Sequence, residues 1–382
     1  MLGLNAKFCA QMSYINSHKD FIVLSTRSNN RVSVVMCTYN GARFVEEQLR
    51  SISLQLSHGD ELVIADDGST DETLDIVDRI LRASLPIDFD VSILPGSTKS
   101  RGISANFWRG VQAANNSVVI LSDQDDSWLA NRVERVRQEF GKHMGLKAFA
   151  CDARLIDKYG ANLGHTQFDS VGVGAGEIQV LNGQAGFEYL ARGNVLPGMT
   201  GAFDTNFLRE IGPAPGSWPH DYWWFLHAAM FDGLEVTNET LVNYRQHDSN
   251  TIGAPPTRLA ALAIRFWKTP SNAAVLHENF QQLWEACQST ELNESARRNL
   301  GFLREKKAFE RWRGQLRPHM VSRLIPVLKR IAFGDYRRFS RRGGLRGIHD
   351  IVRNPQDQRA TKHFSAFETR PAVEPDLSPR KD

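Results

Sequence analysis

Cysteine is scarce, with four in 382 residues, and Cys9, Cys37, Cys151 and Cys287 lie far apart with no CxxC pair. That spacing argues against a zinc ribbon and a disulfide framework, so the four read as ordinary reduced thiols. Long apolar runs are missing too. No stretch approaches the roughly 18 uncharged residues of a spanning helix. The first thirty residues scatter Lys7, His18, Lys19 and Asp20 through a weak apolar run, so neither a spanning segment nor a secretory leader is expected. The expectation is a cytoplasmic protein. There is no internal repeat and no nucleic-acid-binding motif. What is present, 41% hydrophobic and 23% charged residues, excludes disorder throughout and collagen or coiled-coil composition.

Neither sign of charge dominates the total of +3, but the distribution is uneven. Between Arg297 and Arg353 there are 17 Lys and Arg against 4 Asp and Glu, a net +13, which leaves −10 for the rest. Such a basic, partly amphipathic segment reads equally as a solvated helical surface or as a face for an anionic partner, membrane headgroups or a phosphorylated lipid.

The length suits one large α/β core or two fused domains. Residues 1–30 carry little pattern and read as an N-terminal extension. Residues 32–37 form a short β-branched run ending at Thr38-Tyr39-Asn40-Gly41, and Phe44, Val45, Leu49 and Ile52 follow at helical spacing. Residues 62–65 repeat the design, stop at Asp66-Asp67-Gly68-Ser69-Thr70-Asp71, and lead into a helix through Leu81. Residues 90–94 and 118–121 predict two more strands, with a helix over 105–114 between them. Strands alternating with helices imply a mostly parallel sheet, whose ligands bind beyond the carboxyl ends of the strands. Further on, the pattern predicts a helix over 128–140, a strand over 148–153, a turn or hairpin over 157–164 and a flexible connection over 172–176. A short helix over 205–211 follows, then an aromatic helix from His220-Asp221, and strands at 234–236 and 241–244. Pro255-Pro256 marks the end of the α/β body, giving a domain over 31–254, a basic helical region over 255–353 and a disordered tail over 354–382.

Three strand-end motifs carry chemistry. In Ser122-Asp123-Gln124-Asp125-Asp126, three carboxylates within four positions repel one another unless something positive sits among them. Hard oxygen ligands at an open sheet edge suit Mg²⁺ or Mn²⁺ shared with phosphate oxygens. A loop that caps the next helix through Asp126 or Ser127 fits the same residues. In the Asp66 to Asp71 segment, a strand-end acid accepts hydrogen bonds from a base or ribose, although a capped junction explains it as well. Thr38, Tyr39 and Asn40 offer hydroxyl, aromatic and amide groups to a base, or form a plain turn. Their order along the chain is improbable by chance.

As a series these motifs resemble those of the family 2 glycosyltransferases, which have the GT-A fold. The resemblance runs over roughly residues 32–250 and rests on VSVVMCTYNGARFVEEQLRSI, LVIADDGSTDET, SDQDDSW and a later HDYWW followed by YRQHDSN. Within the family the chain is most similar to bacterial enzymes that add rhamnose or a related sugar to surface polysaccharides. The resemblance implies a Rossmann-like α/β fold with a mixed, mostly parallel sheet and a C-terminal helical extension. It implies an inverting transfer from a dTDP- or UDP-sugar to a saccharide acceptor, with Mg²⁺ or Mn²⁺ as cofactor. It puts the nucleotide base near Thr38, Tyr39 and Asp67, with Asp66 behind, and makes Asp123 and Asp125 the metal-and-diphosphate motif, Asp125 being the direct ligand. Asp221, in the position of the family's acid pair, becomes the catalytic base, although His220 stands where the first acid is usual. No QxxRW motif is present, which argues against a processive synthase. The resemblance further suggests His247 as a metal or diphosphate ligand, where a lone histidine is equally read as structural, and places Gly102 and Asn106 near the nucleotide, although a turn explains Gly102 as well.

Other residues have two readings each. Arg245 pairs with diphosphate through its planar fork or with a surface acid. Gly198, Thr200 and Gly201 let backbone approach the donor sugar. Trp223 and Trp224 offer an aromatic floor to the acceptor, but adjacent helical residues cannot both face one site, so at least one belongs to the core. If the acceptor is lipid-linked, the basic helices would rest on the inner membrane surface. Competing functions are a non-catalytic nucleotide- or glycan-binding relative and a metal-dependent phosphatase of the haloacid-dehalogenase type. The phosphatase expects its acidic loop near the start of the domain, whereas three βα units precede it here.

Overall fold

The first strand, β1 (Val32–Thr38), is almost wholly buried, and β2 (Glu61–Asp66) is buried throughout. Burial on both faces marks central strands of a sheet covered on each side. Alternation then sorts their side chains: Val35 of β1 enters one apolar core, while Val34 and Met36 enter the other. The computed structural model describes residues 31–83, 88–96, 100–216, 218–247, 273–288 and 292–353. The expected N-terminal extension, the tail, Pro255-Pro256 and the end of the YRQHDSN motif lie outside the described residues.

The remaining strands are β3 (Asp90–Leu94), β4 (Val118–Asp123), β5 (Ser127–Trp128), β6 (Ala148–Asp157), β7 (Asn162–Thr166), β8 (Gly201–Asp204) and β9 (Leu234–Gln246). They form one mixed sheet in the order β3-β2-β1-β4-β8-β6-β9-β5, with β7 paired to β6. The β3-β2-β1-β4 part is parallel. β8 runs antiparallel to β4 and β6, and β9 is parallel to β6. Register decides the site: Thr38 lies opposite Asp66 and Cys37 opposite Asp123, so three polar strand ends meet at one edge.

Helices α1 (Val45–Ser53), α2 (Thr73–Ala83) and α4 (Arg132–Lys142) cover one face, and α3 (Ile103–Ala113) lies on the other. A Cβ on Gly110 would meet Val35 Cγ1 at 2.3 Å, so glycine lets α3 settle directly on β1. Short helices α5 (Gln167–Val171), α6 (Ala175–Leu181), α7 (Gly186–Ala191) and α8 (Thr205–Ile211) precede α9 (His220–Met230). The chain continues through α10 (Ala273–Gln288), α11 (Glu294–Gly314), α12 (Met320–Ala332), α13 (Asp335–Phe339) and α14 (Gly344–Val352). These last helices share the α3-side core: Phe280 sits edge-on to Trp218 (5.7 Å between ring centres), and Phe302 edge-on to Phe187 (6.3 Å).

Several boundaries differ from the sequence pattern. The helix expected from 128 starts at Arg132, because Ser127 and Trp128 pair with Asn243 and Val242 as β5. The two strands expected at 234–236 and 241–244 are one, since irregularities in the β6 pairing absorb the polar residues between them. The 172–176 connection shrinks to Gly172, Val173 and Gly174, with α6 beginning at Ala175. No described helix is long and apolar enough to cross a membrane.

Candidate active site

Hydrogen bonds tie the three strand-end loops into one rim. The Thr38 hydroxyl donates to Asp66 Oδ1 at 2.8 Å, and the Gly68 and Ser69 N–H groups donate to Asp66 Oδ2 at 2.9 and 2.8 Å. Asn40 holds a left-handed backbone (φ 47°), and its side-chain Oδ1 accepts from the Thr70 N–H at 2.8 Å. Gln124 bridges to the acidic loop: its amide accepts from the Tyr39 N–H (2.9 Å) and donates to the Tyr39 carbonyl (3.0 Å). A Cβ on Gly41 would overlap that amide, so glycine is needed for this closure. Tyr39 keeps an exposed ring at the edge of the rim.

Asp67 organises the fourth side. Its carboxylate accepts from the Ser100 hydroxyl (2.5 Å) and from the Arg101 and Gly102 N–H groups (2.8 and 3.1 Å). Gly102 has φ 84°, a conformation few other residues take, just before α3. Asn106, one turn into α3, donates to the Ala65 carbonyl at 2.6 Å, and its own buried side-chain oxygen has no hydrogen-bond partner. Thus the residues expected around the nucleotide stand on adjoining loops, although Thr38 and Asp66 spend their polar atoms on each other.

The acidic loop is electrically unbalanced. Burial, reinforced by the charges of Asp125 and Asp221, pushes the Asp123 carboxyl up to about 7, with Arg132 pulling the other way. Burial and the charges of Asp125 and Asp123 push Asp126 well above the usual carboxylate range. Asp126 Oδ1 accepts from the Arg245 N–H at 3.0 Å, while its buried Oδ2 has no hydrogen-bond partner. His247 Nε2 lies 2.8 Å from Asp125 Oδ2. Beneath the loop, the buried Arg132 stacks over Trp128 and donates to the Met199 carbonyl at 2.5 Å, leaving Nε and Nη1 without hydrogen-bond partners.

Asp221 opens α9 across from this loop, near enough for its charge to act on Asp123. Its Oδ2 accepts from the Gly198 N–H at 3.0 Å and its Oδ1 from the Tyr222 N–H at 2.6 Å. Burial outweighs these bonds and the one from Asn194, pushing the carboxyl up to about 6. His220 resolves the unusual HD pair. It stacks on Phe107 (4.4 Å between ring centres), and burial pushes its pKa down to about 3, so it stands beside Asp221 as a neutral ring.

Four expectations are corrected. Trp223 and Trp224 are both core residues: Trp224 is edge-on to Phe203 with its N–H on the Gly212 carbonyl, and Trp223 lies between Trp218 and His227. An α9 buried on nearly every side leaves no aromatic floor for a sugar. Arg245, expected among the sugar-contacting residues, is buried, with Nε on the Asp125 carbonyl (2.9 Å) and Nη2 on the exposed acid Glu47 (2.6 Å). Of its two readings the structure shows the pairing with a surface acid, from which it braces the acidic loop. Gly201 is likewise buried, and a Cβ there would meet the Phe203 and Phe225 rings, so its role is packing. Sequence reasoning missed Gln124, Arg132, Asn194 and Glu47, because each acts through contacts remote in the chain.

Among the described residues, no three His, Cys, Asp or Glu side chains converge into a ready metal cage. The donor set nonetheless fits Mg²⁺ or Mn²⁺, which take one or two carboxylates and fill the remaining positions with water and substrate phosphate. The crowded carboxylates, raised by burial and then by their own repulsion, are the feature such a cation would relieve.

Comparison with known proteins agrees with this architecture. The fold is that of the GT-A glycosyltransferases: S. aureus TarS superposes with a TM-score of 0.50 at 17% identity, covering 88% of this chain and 55% of that one. Residues 33–179 match the family model of glycosyl transferase family 2. The dTDP-rhamnosyl transferase RfbG of Shigella flexneri is 28% identical over 233 residues, 57% of this chain and 74% of that protein. The mannosyltransferase PcManGT of Pyrobaculum calidifontis, crystallised with GDP-Man and Mn²⁺, gives a TM-score of 0.48 at 18% identity, covering 88% of this chain and 86% of that one.

Proposed function

We propose that this glycosyltransferase is an inverting enzyme that moves a sugar from a nucleoside-diphosphate donor to a saccharide acceptor in cell-surface polysaccharide synthesis. dTDP-rhamnose is the first donor to test and a UDP-hexose the second. The likeness to a dTDP-rhamnosyl transferase supports that order. The acceptor is a lipid-linked saccharide met at the inner membrane surface. One observation carries the reading: an acidic loop short of positive charge faces Asp221, a carboxyl raised towards neutrality by burial.

In this reading Asp125, with Asp123 and His247 beside it, would hold Mg²⁺ or Mn²⁺. When bound, that cation would neutralise charge on the departing diphosphate. Asp221 receives the proton of the acceptor hydroxyl. The hydroxyl oxygen forms its bond to the anomeric carbon, and the bond to the diphosphate breaks with its electron pair leaving on the diphosphate oxygen. The Gly198 and Tyr222 N–H groups hold the Asp221 carboxylate in place, and neutral His220 adds no competing charge. The rim formed by Thr38, Tyr39, Asn40, Asp67 and Gly102 receives the nucleotide.

A melting screen of dTDP-, UDP- and GDP-sugars with Mn²⁺, followed by transfer assays, tests this. A donor at 100 times its Kd raises stability by about 2.7 kcal/mol. A binder that neither transfers nor hydrolyses any donor would support the non-catalytic alternative.

A further inference from the structure

Eight of the 17 exposed large hydrophobic side chains among the described residues are scattered over the α/β body, which is ordinary for a soluble surface. The other nine lie within residues 320–352. On α12, Met320, Val321, Leu324, Ile325 and Leu328 recur at the spacing of one helical stripe, and Val321 and Ile325 are 78% and 65% exposed. The adjoining side of α12 is spent inside the protein: Val327 is buried, and Ile331 would overlap a Cβ on Gly347 of α14. On α14, Leu345, Ile348 and Val352 form a second exposed stripe, and Phe333, just past α12, is 81% exposed.

The charge around these stripes has one sign. Arg317, Lys329, Arg337 and Arg353 are exposed. From 311 to 353 no carboxylate is: Asp335 is partly buried against Arg330, and Asp350 is wholly buried against Arg313. An apolar face edged by arginine and lysine, whose neighbouring exposed acid Glu305 is paired with Arg338, matches the interface of an anionic bilayer better than an ordinary solvated surface.

We propose that α12 and α14 form the face by which this protein lies on an anionic lipid bilayer, with Val321, Ile325 and Leu328 entering the acyl boundary. The proposal rests on the transfer reading only in giving that enzyme a lipid-linked acceptor at the same surface.

The test is flotation of the full chain with vesicles of phosphatidylcholine alone and of equal parts phosphatidylcholine and phosphatidylglycerol. Wild type should float with the anionic vesicles and less at high salt. The double variant I325E/L328E, at exposed positions that leave the packed side of α12 intact, should partition roughly a hundredfold less. Its melting temperature and its turnover of a soluble donor should stay at the wild-type level. Wild-type partitioning by that variant overturns the proposal. So does a stable dimer in solution that the same substitutions dissociate, since a second copy would then own the face. Donor turnover is read separately, so an inert protein that still floats would remove the transfer reading and leave the surface standing.

Discussion

At the end of β4, Asp123, Asp125 and Asp126 crowd together with Arg132 as the cation that pulls against them. In the C-terminal helices, each buried acid meets buried cations. Arg313 forks onto Asp350 through Nε and Nη2 (2.6 and 2.8 Å) and also reaches Glu310, while Lys306 donates to Glu310 at 2.7 Å. The Tyr336 hydroxyl completes the set at Asp350 Oδ2 (2.9 Å). The electrostatic outcomes are opposite. Arg313 holds Asp350 well below the usual carboxylate range despite burial, whereas burial and mutual repulsion hold Asp123 and Asp126 above it. A matched cluster belongs to the fold. An unmatched one costs stability, and its retention at a sheet edge is understandable when its partner arrives from outside.

Breaking each cluster should therefore show up in different measurements. Asp125→Ala and Asp221→Asn should each lower turnover about 10²–10⁴-fold or more. Neither should lower the unfolding midpoint, and only Asp125→Ala should weaken metal-dependent nucleotide binding. A fully active Asp221→Asn enzyme would remove the proposed base. Asp350→Ala is the converse case: it leaves the Arg313 fork and the Tyr336 hydroxyl without their shared buried acid and should cost about 3–5 kcal/mol in urea unfolding. If Asp350→Ala were harmless to stability while Asp125→Ala unfolded the protein, the contrast between the clusters would be reversed.

Acidity separates them next. Asp123 and Asp221 have raised folded-state pKa values, about 7 and about 6, so each favours the folded state at low pH and loses that contribution as pH rises from about 4 through those values. Asp350 has a depressed value, so its contribution is present above about 4 and disappears on acidification. Without metal, Asp123→Asn should therefore stabilise the protein at pH 8, by about 1–2 kcal/mol because water at the loop screens part of the repulsion, and should change little at pH 4. The kcat/KM of wild type should climb with pH and reach half its plateau near 6 as Asp221 loses its proton.

The two regions were also unequally legible in the sequence. β1, β2 and β4 announce themselves as short β-branched runs closed by polar residues, and the strand-end acids follow from the same pattern. The matched cluster gave no such signal. Lys306, Glu310 and Arg313 look like a solvated helical face at i, i+4 and i+3 spacing, and only tertiary packing against Asp350, 37 residues away, buries them. Gln124 was invisible for a like reason, since its partner Tyr39 is 85 residues distant. Trp223 and Trp224 misled because α9 is buried almost all round, and a helix apolar on every side shows no periodic face to assign.

The smallest expected effect concerns Arg132, the cation already built into the acidic loop. Its guanidinium is held over Trp128 and anchored on the Met199 carbonyl, so it is fixed beneath the carboxylates rather than free to follow an incoming phosphate. A fixed positive charge partly offsets the acids and competes with a divalent cation for the same field. Arg132→Met removes that competition. It should destabilise the metal-free protein, yet tighten Mn²⁺ binding about two- to tenfold, while Arg132→Lys, which keeps the charge, should leave Mn²⁺ affinity nearly unchanged. Calorimetric titration of Mn²⁺ into the three proteins reads this directly. Weaker binding by the methionine variant would mean that Arg132 shapes the loop for its cation instead of opposing it, and the acidic cluster would then be less unmatched than its pKa values imply.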